Sequence, residues 1–173
     1  MVGFVESFTA SDLITQLDTN LVGIHRMIKS TLPLLKESKG RIINIASIAG
    51  RVTYPRYAVY SASKFAVEGY SEALRMEMNI LGIQVAVVEP GTFSTGFASR
   101  IVKGRESASS YDDGDPNNDL PPFIQSILGI FRRSSDPNRV ANRVYELSQS
   151  RRMPLHNYVG RDAKIIMFFR KLI

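Results

Sequence analysis

Tyr60 and Lys64 stand four residues apart in the run Tyr60-Ser61-Ala62-Ser63-Lys64, and Ser47 closes the apolar run Ile42-Ile43-Asn44-Ile45-Ala46 thirteen residues before Tyr60. On a helix, residues four apart share one face with Cβ atoms about 5–6 Å apart, which brings the lysine ammonium close to the phenol. An unperturbed tyrosine, with a pKa of about 10, is a poor base at neutral pH, and a nearby cation favours its phenolate. A tyrosine tuned in this way can donate a proton to a carbonyl oxygen or take one from an alcohol. That is the acid–base half of hydride-transfer chemistry. A tyrosine and a lysine alone make an ordinary half-buried aromatic beside a solvated cation; Ser47, Asn20 and Pro90-Gly91 turn the balance toward a site.

These side chains need elements to hold them. From Thr9 to about Leu35 the residues Leu13, Ile14, Leu17, Leu21, Ile24, Met27 and Ile28 recur at spacings of three and four, which predicts one amphipathic helix carrying Asn20. Thr9 or Ser11 caps its start, and Pro33 is expected to kink or end it before the Lys39-Gly40 turn. Arg41 to Ala46 reads as a short buried strand, which puts Ser47 at a carboxyl end, where open α/β sheets gather their ligands. A second long helix is expected from about Tyr57 to Ile80, and the β-branched run from Ile83 to Val88, bounded by Gly82 and Pro90-Gly91, predicts a second buried strand. Residues 92–135 read as a long loop or lid within the domain, with a short helix over 123–133. Asp136 and Pro137 supply the N-cap and first position of a helix running to about Ser150, and His156 to Val159 reads as a last strand. This alternation predicts an α/β fold with a parallel sheet, one domain over residues 1–173.

Composition narrows the class. At 173 residues and 44% hydrophobic the chain has material for one core, which excludes a disordered protein. Without cysteine it can hold neither a disulfide nor a thiolate metal site, and His25 and His156 have no ligand-spaced partner, so no metal centre is expected. The net charge of +6 is carried by dispersed residues such as Lys36, Lys39, Arg41, Arg56, Arg75, Arg105, Arg139 and Arg151, read as loop and helix-end positions, so a solvated surface is expected and not a nucleic-acid site. No apolar stretch approaches the roughly 20 residues that cross a bilayer, and the first ten residues lack the pattern of a signal peptide, so a cytoplasmic protein is expected. The segment Ala163 to Lys171 is apolar with basic flanks; packing against the sheet or a partner subunit is the expected reading, a membrane surface the other. Asp113, Asp115, Asn117 and Asp119 alternate like the front of a calcium loop, but Asn118 and Ile124 stand where its glycine and bidentate glutamate belong, so a polar lid is expected.

Taken together, Tyr60-Ser61-Ala62-Ser63-Lys64, Ser47 after its isoleucine-rich run, Asn20 in Asp18-Thr19-Asn20-Leu21, and Pro90-Gly91 with Thr95 resemble the short-chain dehydrogenase/reductases, strongly from about Gly3 to Thr95 and loosely beyond. The resemblance implies a Rossmann-like, doubly wound parallel sheet and an oxidoreductase that uses NAD or NADP to interconvert a secondary alcohol and a ketone. It implies that Tyr60 is the general acid or base, that Lys64 lowers its pKa and hydrogen-bonds the nicotinamide ribose, and that Ser47 polarises the reacting carbonyl. Asn20 would anchor a water linking Lys64 to bulk solvent, and Pro90, Gly91 and Thr95 would line the nicotinamide end of the cofactor, which Tyr60 and Lys64 would also contact. A homodimer or homotetramer through the helix over 57–80 is implied for the complete protein. The apolar lid residues Phe93, Phe97, Ile101, Leu120, Phe123 and Ile124 point to a small, lipophilic substrate.

The family's GxxxGxG fingerprint belongs ahead of Gly3 and is not in this sequence. Ordinary element and loop lengths put the difference at about 80 residues, so the chain is expected to be the C-terminal portion of the fold. With strand order 3-2-1-4-5-6-7 from the resemblance, Arg41 to Ala46 becomes an unpaired apolar edge, and the 173 residues alone are expected to bind no dinucleotide and to aggregate. The residue that chooses between NAD and NADP belongs to the same absent part, so cofactor preference is not legible. The alternative function is a non-catalytic scaffold that binds a partner.

Overall fold

The computed structural model describes residues 1–95 and 135–170. Helix α1 (Ala10–Leu17) starts in a capping box: Thr9 Oγ1 accepts from the Asp12 amide at 3.2 Å, and Asp12 Oδ2 accepts from the Thr9 amide at 2.8 Å. The chain then widens into a π-helical turn (Asp18–Val22) before continuing as α2 (Gly23–Ser38). The expected single helix is therefore two, joined by a wide turn that carries Asn20; such turns concentrate at functional sites. Pro33 lies inside α2 and does not end it; the helix stops at the expected turn, with Lys39 in the left-handed conformation at φ of 50°. Pro33 is tolerated because the carbonyl it leaves without a helical donor belongs to exposed Lys29, where water can replace the lost N–H.

Strand β1 (Arg41–Ile45), helix α3 (Ala58–Ile80), strand β2 (Gln84–Pro90), helix α4 (Asn138–Gln149), strand β3 (His156–Val159) and helix α5 (Arg161–Arg170) complete the described fold. The three strands are parallel in the order β1-β2-β3, with Ile43 opposite Ala86 and Val88 opposite Asn157. Asp136 Oδ1 accepts from the Asn138 amide at 2.9 Å, but the helix starts one position later than expected, with Pro137 at its N-cap and Asp136 just before it.

Helices cover both faces of β2. Val85 packs with Ile42 of β1, Ile28 of α2 and Leu74 and Met78 of α3, while Ala86 and Val88 pack on the other face with Leu147 of α4, Met153 and Val159. Burial on both sides explains why this strand reads as an unbroken β-branched run and not as an alternation. The architecture is the expected doubly wound α/β sheet. Among the described residues β1 pairs only with β2, and Ile24, Met27, Ile28 and Ile42 line a groove of about 510 Å³ beside its other edge.

Helix α5 buries Ala163 and Met167 against Ile48 and turns Ile165, Phe168 and Phe169 outward. No helix of the described residues is long and apolar enough to cross a membrane. Of the lid residues, Phe93 packs against the α4 face of the sheet; Phe97, Ile101, Leu120, Phe123, Ile124, the helix over 123–133 and the calcium-like aspartates lie outside the described residues.

Candidate active site

Ser47 sits where β1 ends. Its backbone is still extended, and its hydroxyl oxygen accepts from the Ala49 amide at 3.2 Å, which starts the 3-10 turn Ile48–Gly50. That turn lies directly on α3. A Cβ on Gly50 would come within 2.8 Å of the Lys64 carbonyl oxygen, so only glycine permits the approach that sets Ser47 opposite the start of the helix. Tyr60 and Lys64 are on the first two turns of α3, as their spacing predicts.

Lys64 Nζ donates to the Ile45 carbonyl at 3.1 Å and lies 5.8 Å from the centroid of the Tyr60 ring. Burial pushes the Tyr60 phenol above its ordinary value and Tyr57 adds to the effect, while a hydrogen bond with Ser47 works against it. The expected depression by Lys64 is therefore not found, because burial prevails. Burial also holds Lys64 below its ordinary value, opposed by the carboxylate of Glu68 one turn further on.

Asn20 reaches the same helix from the π-helical turn. Its Nδ2 donates to Ser63 Oγ at 2.9 Å, and Ser63 Oγ donates to the Tyr60 carbonyl at 2.7 Å. Asn20, Ser47, Tyr60 and Lys64 line one cleft of about 990 Å³ together with Pro90, Gly91 and Thr95. The structure thus brings together all seven residues singled out in the sequence. Its far wall is apolar and includes Phe93, Val140, Val144 and Ile166. Tyr54, Tyr57 and Tyr60 form an edge-to-face ladder along it, with successive ring centroids 6.2 Å apart. Burial first, then Asp162 and Tyr57, push Tyr54 up to about 12.

Beneath the site lies a network that sequence reading missed. Arg51 Nε donates to Glu89 Oε1 at 3.0 Å, and its other nitrogens pair with Glu72 at 3.3 Å and Glu68 at 3.2 Å. His156, which has no ligand-spaced partner in the sequence, contacts Arg51 and stands 3.3 Å from Glu89 and 3.7 Å from Glu68. Donor atoms of Glu68, Glu72 and His156 lie within 4.8 Å of one another, but the guanidinium among them makes this an ion-pair network in place of a metal centre. Burial above all, with Glu89 next, raises Glu68 to about 8, against the pull of Arg51 and Lys64. Arg75, read as a solvated cation, instead donates to the carbonyls of Val85 and Met153, the latter at 3.0 Å. Its position on α3 facing the strand ends was not visible in its charge.

A parallel sheet wound on both faces, with Ser47, Tyr60 and Lys64 lining a cleft at the carboxyl ends of its strands, is the arrangement in which open α/β sheets gather ligands. Residues 1–106 match the family described as short chain dehydrogenase, and the chain belongs to that family. It is 47% identical over 162 residues to 3-ketodihydrosphingosine reductase of Bacteroides thetaiotaomicron, covering 91% of this chain and 58% of that protein. It is 31% identical over 172 residues to the uncharacterized oxidoreductase YusZ of Bacillus subtilis, covering 98% and 61%. A crystal structure of a short-chain dehydrogenase from Streptomyces avermitilis superposes with a TM-score of 0.75 at 26% identity, covering 98% of this chain and 60% of that one. The chain thus spans about three fifths of the length of these relatives.

Proposed function

We propose that this chain carries the catalytic portion of an NAD- or NADP-dependent oxidoreductase that interconverts a lipophilic ketone and its secondary alcohol. The convergence of Ser47, Tyr60 and Lys64 on one cleft at the strand ends carries this reading. The donor set fits the nicotinamide-ribose end of a dinucleotide: the Lys64 ammonium and the hydroxyls of Ser47, Tyr60 and Thr95 line one cleft with Pro90 and Gly91. Lys64, Pro90, Gly91 and Thr95 would hold that end, and when bound the dinucleotide supplies the hydride.

The remaining chemistry belongs to the chain. Ser47, hydrogen-bonded with Tyr60, holds the substrate oxygen beside the phenol. Tyr60, kept protonated by burial, gives its proton to that oxygen in reduction and takes one from the alcohol in oxidation. Lys64 holds positive charge beside the phenolate that forms, and Asn20 fixes the turn of α3 on which Tyr60 sits. The tyrosine ladder and the apolar wall favour a lipophilic substrate, in line with the substrate that the name of the Bacteroides relative prints.

Incubating the whole gene product with NADH or NADPH and a series of long-chain ketones tests the reading. Loss of nicotinamide absorbance that depends on the ketone supports it; a protein that binds the dinucleotide yet reduces none of the series contradicts the lipophilic assignment.

A further inference from the structure

Asp162 stands in the first turn of α5, and its carboxylate crosses to the loop that follows β2. Oδ2 accepts the Thr92 backbone N–H at 2.5 Å. Oδ1 is buried and, among the described residues, has no hydrogen-bond partner. The carboxylate is pressed so closely on backbone that a Cβ on Gly91 would lie 2.2 Å from Oδ1, and one on Gly160 would lie 2.3 Å from it. A methyl at either position must displace it. The Gly91 amide also donates to the Val159 carbonyl at 2.8 Å, so the turn is held from two sides, by the end of β3 and by Asp162.

An acidic residue in a helix's first turn is favoured by the helix dipole, but that needs neither a carboxylate seated between two glycines nor a buried oxygen without a donor. Both features serve the contact with Gly91 and Thr92. These two residues line the cleft beside Ser47, Tyr60 and Lys64. We propose that Asp162 is a positioning residue that fixes the Gly91–Thr92 turn in the shape that receives the nicotinamide end of the dinucleotide. The inference rests on the dinucleotide reading above. It gives α5, which carries none of the catalytic groups, a role in cofactor affinity exerted through Thr92.

The test uses the whole gene product and the variants Asp162→Ala, Asp162→Asn, Gly91→Ala and the double variant Asp162→Ala/Gly91→Ala. Dinucleotide dissociation constants are read by fluorescence titration, and protection of the Thr92 amide by hydrogen exchange. Asp162→Ala is expected to weaken dinucleotide binding about tenfold or more, the scale of one lost charge-assisted hydrogen bond, and to speed Thr92 exchange. The KM for the ketone at saturating dinucleotide should change less than the dinucleotide dissociation constant, because the hydrogen bond removed is to the Thr92 backbone. Gly91→Ala should be comparably damaging alone yet add little to Asp162→Ala, since the methyl then occupies the vacated space.

If Asp162→Ala does not fold, Asp162→Asn carries the test, because dinucleotide affinity and Thr92 protection must rise and fall together across every variant that folds. A variant in which they part company, or additive losses in the double variant, overturns the proposal. A wild-type gene product that binds no dinucleotide overturns the reading of the site itself; one that binds as tightly as its Asp162→Ala variant overturns only the role of Asp162.

Discussion

The side-chain amide of Asn20 is bound to the hydroxyl of Ser63 at 2.9 Å, and this bond ties the π-helical turn to the turn of α3 that carries Tyr60. Ser63 is fully buried and donates its own hydrogen bond to the Tyr60 carbonyl, so the backbone that aims the phenol is tied through Ser63 to Asn20, forty-three positions before that serine.

Asn20→Ala and Ser63→Ala should each destabilise the fold by about 1 kcal/mol, the net value of a buried hydrogen bond, with most of the effect shared in the double variant. Urea unfolding of the four proteins measures this. Turnover should fall by about tenfold in each single variant while the ketone KM holds, since roughly 1.4 kcal/mol of lost alignment acts on the transition state. Fully additive stability losses would show that the two side chains do not act on one another.

The carboxyl of Glu68 makes stability fall with pH. Its value in the fold is raised to about 8 from an ordinary 4.5, so between these limits the folded protein holds a proton that the unfolded chain has released. Stability from this group is complete below about pH 4.5 and is lost as pH rises toward 8, by an amount on the order of a few kcal/mol. Melting temperatures from pH 5 to pH 8 should decline in the wild type and decline much less in Glu68→Gln. Equal slopes in the two proteins would mean that Arg51 keeps Glu68 ionised throughout.

What the sequence made legible was local. Tyr60 and Lys64 share a face because four residues make about one helical turn, and Ser47 ends a strand whose isoleucines are contiguous. Strand β2 announced itself through residues buried on both faces. The Arg51 network escaped notice because its partners Glu72, Glu89 and His156 lie 21, 38 and 105 positions away, on an adjacent helix and two strands. Asp162 meets Thr92 across 70 positions for the same reason. The π-helical turn was hidden because an apolar periodicity of three and four tolerates one wide turn without breaking. Tyr60 was read as depressed because spacing reports a nearby lysine and says nothing of burial, which governs its titration.

Because Tyr60 is raised above its ordinary value of 10.0, ketone reduction has the required protonated phenol across the neutral range. The rate of reduction should be level through neutral pH and fall only as pH climbs through the tyrosine's raised value; oxidation, which needs the phenolate, should rise over the same interval. Initial rates in both directions against pH check this. A reduction rate that falls between pH 6 and pH 8 would assign the proton to another group, such as Glu68 with its value of about 8.

The most direct measurement of the central claim is a single turnover of the whole gene product carrying Tyr60→Phe, followed by nicotinamide absorbance after mixing the dinucleotide-loaded protein with the ketone. The account predicts unchanged dinucleotide affinity and a hydride-transfer rate lowered by about a hundredfold to ten-thousandfold, the usual worth of a positioned general acid. Transfer at the wild-type rate in a folded, dinucleotide-bound Tyr60→Phe protein would contradict it.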